Sequence, residues 1–199
     1  MIKIGLTGGI GSGKSTVSTM LKDNHIEVIE ADILSREVII SYPEIGVKIK
    51  EHFGDSYFDD MGILNRRKLG DHIFKDKNER LILEAIIIPY IIKAIWSCFD
   101  KIASQGHKLA VLDAPTLIEQ GLDKKMDINL LVWVDEATQK NRLMARELIS
   151  SEEATNRIKA QIPIDEKKQY VDFVIDNTGT FASTNAQLMN ILNNIESME

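Results

Sequence analysis

Cysteine is almost missing from this sequence: Cys98 stands alone among 199 residues, which excludes an internal disulfide and a cysteine metal cluster. Proline is scarce, with only 4, and no Gly/Ser-rich or single-residue tract interrupts the chain, so no stretch reads as a disordered linker. Internal repeats are absent. Cations are in deficit, 24 Lys and Arg against 30 Asp and Glu, for a net charge of −6. That balance weighs against a general nucleic-acid binder, although a few local cations suffice for an anionic ligand. The most apolar stretch, Leu81 to Trp96, is broken by Glu84, Pro89 and Lys93 and reads as too short to span a bilayer. The opening MIKIGLTGG lacks the apolar core and cleavage site of a signal peptide. The expectation is a cytoplasmic protein with neither a membrane nor a nucleic-acid partner, its oligomeric state open. Cys98, His25, His52, His72 and His107 show no metal-ligand spacing and read as packing or surface residues.

What is present is enough apolar sequence, 44% of residues, for one well-buried core. Five short apolar runs read as strands: 2–7 (IKIGLT), 27–30 (EVIE), 109–113 (LAVLD), 128–135 (INLLVWVD) and 172–176 (DFVID). Helical spacing separates them, which implies βαβ units and a mostly parallel sheet. Nearly eighty residues lie between the second and third runs, far more than one crossover helix needs. Helices over 78–87 and 90–104, with a kink or break at Pro89, make this interval an inserted helical subdomain, approximately 36–105. Ser150 and Glu153 form a capping box. Leu188, Ile191, Leu192 and Ile195 make an apolar helical stripe for the sheet.

Residues 8–16, GGIGSGKST, match G-x-x-x-x-G-K-[ST] at Gly8, Gly13, Lys14 and Ser15. Glycines let the backbone curl so that successive N–H groups point at phosphate oxygens, and the helix opening near Lys14 adds its positive end. Lys14 can then reach the β- and γ-phosphates, and the Ser15 hydroxyl can ligate Mg²⁺. A plain glycine turn is the competing reading, but the motif lies between a buried strand and an amphipathic helix, as a phosphate loop requires. The fold class is therefore α/β: a P-loop NTPase-type five-stranded parallel sheet flanked by helices.

A GTPase switch would need a D-x-x-G at a strand end and a guanine-reading N-K-x-D. Asp59 to Gly62 fits the first but follows turn-like residues, and the second is absent. A mechanical ATPase would need an acid beside Asp113, where Ala114 and Pro115 stand. A kinase survives best. Asp113 ends an apolar strand at the edge where doubly wound sheets bind ligands, and suits Mg²⁺ contact through water; a helix cap is the plainer reading. Asp32, two residues beyond EVIE, could accept a hydroxyl proton or cap the helix through Leu34 and Arg36. Arg142 and Arg146, at i and i+4, share a helix face and could clamp triphosphate oxygens from a lid, approximately 136–168, or could form a solvated face.

Several separated segments together resemble the dephospho-CoA kinase family: GLTGGIGSGKST (5–16), Glu30-Ala31-Asp32 with Ile33 and Arg36, LDAPTLIE (112–119), RLMAR (142–146), SEEATNRIKAQ (151–161) and DFVIDN (172–177). The resemblance implies ATP-dependent phosphorylation of the ribose 3′-hydroxyl of dephospho-CoA, with Mg²⁺, on a nucleotide core bearing a helical substrate subdomain and a lid. Carried over by position, it implies Asp32 as base and Lys14 and Arg142 as catalytic residues. ATP would meet Gly11, Ser12, Gly13, Lys14, Ser15, Thr16, Arg142, Arg146 and Asn177. The acceptor would meet Asp32, Arg36, Asp113 and Pro115, and the metal Ser15 and, through water, Asp113. Glu30 and Ile88-Pro89 depart from the family pattern, at acceptor contacts. The alternatives are another small-molecule kinase, of nucleosides or nucleotides, or a non-catalytic ATP-binding regulator.

Overall fold

A computed structural model describes residues 1–73 and 76–197. It divides into two compact units, Met1–Glu30 with Lys101–Glu199, and Ala31–Asp100.

In the first unit the chain runs β1 (Ile2–Gly8), α1 (Lys14–Asp23) and β2 (Glu27–Glu30), then returns through β3 (Leu109–Asp113) and β4 (Ile128–Trp133). The strands are parallel, in the order β2-β3-β1-β4-β5, with β5 at Phe173–Asp176. Ile4, Leu6, Val111, Leu112, Leu130 and Val132 are fully buried, so these strands need apolar residues on both faces and cannot alternate. Val17, Met20 and Leu21 of α1 join the stripe Leu188, Ile191, Leu192 and Ile195 in one core cluster with Ile4, Leu6 and Val111. That stripe belongs to a terminal helix, Phe181–Glu196, whose N-cap Thr180 accepts from the Ser183 N–H.

Parallel pairing brings every strand's carboxyl end to one edge. The register sets Glu30 beside Asp113, Asp113 beside Leu6, and Gly8 beside Val132. β1 lies where the strand order reverses, the switch point at which such sheets bind ligands. The connection from β4 to β5 is helical. Glu136–Glu147 is capped by Asp135, and Ser151–Lys159 opens on the expected capping box of Ser150 and Glu153. A single turn, Ile164–Lys167, follows.

The second unit is helical: α2 (Ala31–Ser41), α3 (Pro43–Phe53), α4 (Arg66–Ile73) and most of α5 (Lys77–Ser104). With these introduced, the helices after β4 are α6 (Glu136–Glu147), α7 (Ser151–Lys159), α8 (Ile164–Lys167) and α9 (Phe181–Glu196). Val38, Ile45, Ile49 and Leu69 form its core, packed by Leu83, Ile86, Ile87, Tyr90, Ile91 and Ala94 of α5. Residues 59–62 form a surface turn: the Gly62 N–H donates to the Asp59 carbonyl at 2.9 Å, and Met61 is 84% exposed.

Two expectations are corrected. Of the kink or break expected at Pro89, the break is absent: α5 runs unbroken for 28 residues. Proline removes one N–H bond to the residue four before it, a loss that the apolar packing on both sides of Pro89 offsets. By length and composition α5 could cross a bilayer. That corrects the expectation of a stretch too short to span; Leu83, Ile86, Ile87, Tyr90, Ile91 and Ala94 on it pack, partly buried, against the unit's own cluster.

Candidate active site

The turn after β1 curls as its glycines allow. Gly11 and Gly13 hold φ of 79° and 85°, the left-handed region that costs a side chain about 1–2 kcal/mol. Space forbids a side chain there as well. A Cβ on Gly11 would lie 2.6 Å from the backbone oxygen of Gln139, and one on Gly13 would overlap the Asn177 amide. Within the loop the Ser12 N–H donates to the Gly9 carbonyl at 3.0 Å. Gly13 is the N-cap of α1 and carries no side chain to cap the first turn, which leaves the positive end of the helix open to an anion. Ser15, in that turn, is exposed, and the Thr16 N–H donates to Gly13 at 2.9 Å.

Lys14 reaches from this turn to the end of β3, where its ammonium donates to the Asp113 carboxylate. Asp113 is nearly buried, and residues 115–121 after it form turns instead of a helix, so a helix cap is not its place. The neighbouring Pro115 carbonyl accepts from the Thr7 hydroxyl at 3.2 Å.

Asn177, just beyond β5, braces the loop. Its amide donates to the Ser12 carbonyl at 2.8 Å, its side-chain oxygen accepts from Thr184 at 2.8 Å, and its backbone oxygen accepts from Arg142 at 2.9 Å. Arg142 thus lies against the loop, its Nη1 3.6 Å from where a Gly13 Cβ would project. Arg146 does not join it. It pairs with Glu147 at 2.6 Å, and Glu147 also receives Arg157. Those arginines hold the Glu147 carboxyl below its ordinary range, Arg146 most strongly. Asp135 is likewise held low, by the Thr138 hydroxyl and N–H.

In the second unit, α2 begins at Ala31, so Asp32 lies in its first turn and not in the flanking cap position. It is exposed, and its carbonyl accepts from the Ser35 hydroxyl at 2.8 Å. The backbone oxygen of Arg36 accepts from Arg66. Burial lowers the pKa of Arg66, and the positive charge of Arg36 lowers it further.

Sequence comparison decides the family. The dephospho-CoA kinase family model matches residues 2–183. A dephospho-CoA kinase of Clostridium tetani is 50% identical over 188 residues, 94% of this chain and 83% of that one. One from Clostridium perfringens is 44% identical over 96% of each chain. This chain belongs to the dephospho-CoA kinase family. The crystal structure of TT1252 from Thermus thermophilus matches with a TM-score of 0.82 at 30% identity, over 96% of this chain and 95% of that one. A dephospho-CoA kinase from Campylobacter jejuni shares the fold, with a TM-score of 0.66 at 22% identity over 97% and 96%.

Within this dephospho-CoA kinase chain, three residues at the loop escaped sequence reasoning. Gln161 accepts from the Ile10 N–H at 2.9 Å, Gln139 packs on Gly9 and Gly11, and Thr184 holds Asn177. No local pattern marks them: Gln161 and Gln139 act on partners far away in sequence, and Thr184 meets Asn177 only across the turn that leads from β5 into α9.

Proposed function

We infer that this chain transfers the terminal phosphoryl group of ATP to the ribose 3′-hydroxyl of dephospho-CoA, giving coenzyme A and ADP, the closing step of coenzyme A synthesis. The observation that carries this reading is the 44% identity over 96% of both chains to a protein named dephospho-CoA kinase, with the phosphate loop intact.

The loop N–H groups and the open first turn of α1 would hold the phosphates of ATP, with Gly11, Ser12, Gly13 and Thr16 supplying backbone. Lys14 and Arg142 would hold the charge that gathers on the transferring group. The transition state is loose, so most of the work is orientation and electrostatics. Asp32 would take the acceptor's proton as the new bond forms.

The oxygen donors fit a Mg²⁺ ion. The Ser15 hydroxyl is exposed and the Asp113 carboxylate stands at the strand edge, hard ligands of the kind Mg²⁺ takes alongside phosphate and water. Among the described residues there is no cluster of three acidic, His or Cys side chains, so the protein would supply few ligands and the phosphates the rest. Bound there, the ion would neutralise charge on the β- and γ-oxygens.

For the acceptor, the second unit offers an apolar cavity of about 130 Å³ lined by Ile39, Leu69, Leu83 and Ile87, with Arg66 on its wall. Arg66 and Arg36 repel one another, and an acceptor phosphate between them would relieve that repulsion. Dephospho-CoA carries both a pyrophosphate and a long flexible arm. We place the reaction in the cytoplasm, where ATP is the donor.

The test compares ADP release with dephospho-CoA, adenosine and AMP side by side. Fastest turnover of dephospho-CoA is expected. Faster turnover of adenosine or AMP would make this a nucleoside or nucleotide kinase, and ATP binding without turnover of any acceptor would make it a regulator.

A further inference from the structure

We propose that residues 161–168 form a positioning clasp for phosphoryl transfer, in which Gln161 and Lys167 set the phosphate loop against the Asp113 edge. The proposal rests on the kinase reading above and adds residues that touch neither substrate.

Lys167 is the least expected side chain in the molecule: its ammonium is completely buried. Lysine is almost never fully buried unless paired, and a buried ion pair adds little stability over an apolar side chain. Its partners show where its influence goes. Nζ donates to the Pro115 carbonyl at 3.0 Å and pairs with Glu119 at 2.9 Å. The same Pro115 carbonyl takes the hydroxyl of Thr7, the residue before the loop's first glycine. Pro115 is two residues past Asp113, whose carboxylate holds Lys14. One ammonium therefore fixes the turn that joins the root of the phosphate loop to the Asp113 edge.

Six residues earlier Gln161 grips the loop itself. Its Oε1 accepts from the Ile10 N–H at 2.9 Å, while Ile164 lies 3.3 Å from where a Gly9 Cβ would project. A third grip falls on β4, where the Trp133 indole N–H donates to Asp165 at 2.8 Å and Lys168 lies 4.0 Å above the ring. α8 is a single turn, too short to hold its own shape. These contacts with the ends of β1, β3 and β4 shape it, and it can hold those ends in register in return.

Phosphoryl transfer depends on alignment, and a misplacement of about 1 Å can cost roughly 10²-fold in rate. The experiment makes Gln161→Ala and Lys167→Met in the full chain and measures kcat, KM for each substrate and ATP-binding stoichiometry. Turnover per ATP-binding site should fall about tenfold or more in each, with the acceptor KM within about threefold of wild type. A purely structural loss would lower the number of sites and leave turnover per site unchanged. Turnover per site within about twofold of wild type in Gln161→Ala would overturn the proposal. Gln161 is partly exposed, so this variant decides the matter even where Lys167→Met does not fold. If wild type prefers another acceptor, the same ratios are taken with that acceptor, so failure of the substrate reading and failure of the clasp stay distinct.

Discussion

The ammonium of Lys14 and the carboxylate of Asp113 form an ion pair that ties the first turn of α1 to the end of β3. The Lys14 side chain is 17% exposed and that of Asp113 7%. Lys14→Ala should lower kcat by roughly 10²–10³, since it removes charge that stabilises the transferring group. It should also destabilise the fold, because a buried carboxylate left alone costs about 3–5 kcal/mol. Adding Asp113→Asn should recover most of the melting temperature and none of the activity. Near-normal kcat in folded Lys14→Ala would remove Lys14 from the site.

Asp32→Asn separates base from helix residue. The amide keeps size and an acceptor oxygen but cannot take a proton. In the first turn of an exposed helix, loss of the negative charge should cost under about 1 kcal/mol. If Asp32 is the base, kcat and kcat/KM should fall together by roughly 10²–10³, with ATP affinity nearly unchanged. A loss under about threefold would leave it a helix-turn residue, and weakened Mg·ATP binding would place it at the metal.

Asn177 is buried, and its side-chain amide holds the loop through the Ser12 carbonyl while its other polar atoms bond Thr184, Arg142 and the Trp133 carbonyl. Asn177→Ala leaves the Ser12 carbonyl without its side-chain donor, at about 1–3 kcal/mol for a buried group left unsatisfied, while the Thr184 hydroxyl keeps the Thr180 carbonyl. Thermal unfolding should show that loss, and the KM for ATP should rise as the loop relaxes. An unchanged KM would mean that the loop holds its shape without Asn177.

The loop and the strands were legible in the sequence because both are local. Continuous apolar runs announced a sheet buried on both faces, and Gly13-Lys14-Ser15 announced the anion site. The supports were not legible. Asn177 reaches Ser12 across 165 positions and Gln161 reaches Ile10 across 151, distances at which no spacing rule operates. Lys167 is buried, and nothing in the local sequence around it signals that. Helical spacing placed Arg142 and Arg146 on one face, but Glu147 competes for Arg146. Pro89 read as a kink or break because propensity weighs one lost hydrogen bond and not the packing around it.

Asp165 supplies a pH test of the clasp. Its carboxyl is held below the ordinary 3.8, first by the Lys168 hydrogen bond and then by Trp133. A lowered folded pKa contributes stability that is present above 3.8 and lost as pH falls through the lower folded value. In a Trp96→Phe background, Trp133 emission should hold steady down to 3.8 and then change with a midpoint below it. Asp165→Asn should abolish that transition. A midpoint at or above 3.8 would contradict the assignment.

The most direct measurement of the central claim offers the enzyme Mg·ATP with dephospho-CoA and with its 2′-deoxy and 3′-deoxy analogues, and reads ADP and phosphorylated product together. Transfer to the ribose 3′-hydroxyl predicts that dephospho-CoA and the 2′-deoxy analogue are phosphorylated, with one ADP released per product, while the 3′-deoxy analogue is inert. Phosphorylation of the 3′-deoxy analogue, or ATP binding with none of the three turned over, would contradict it.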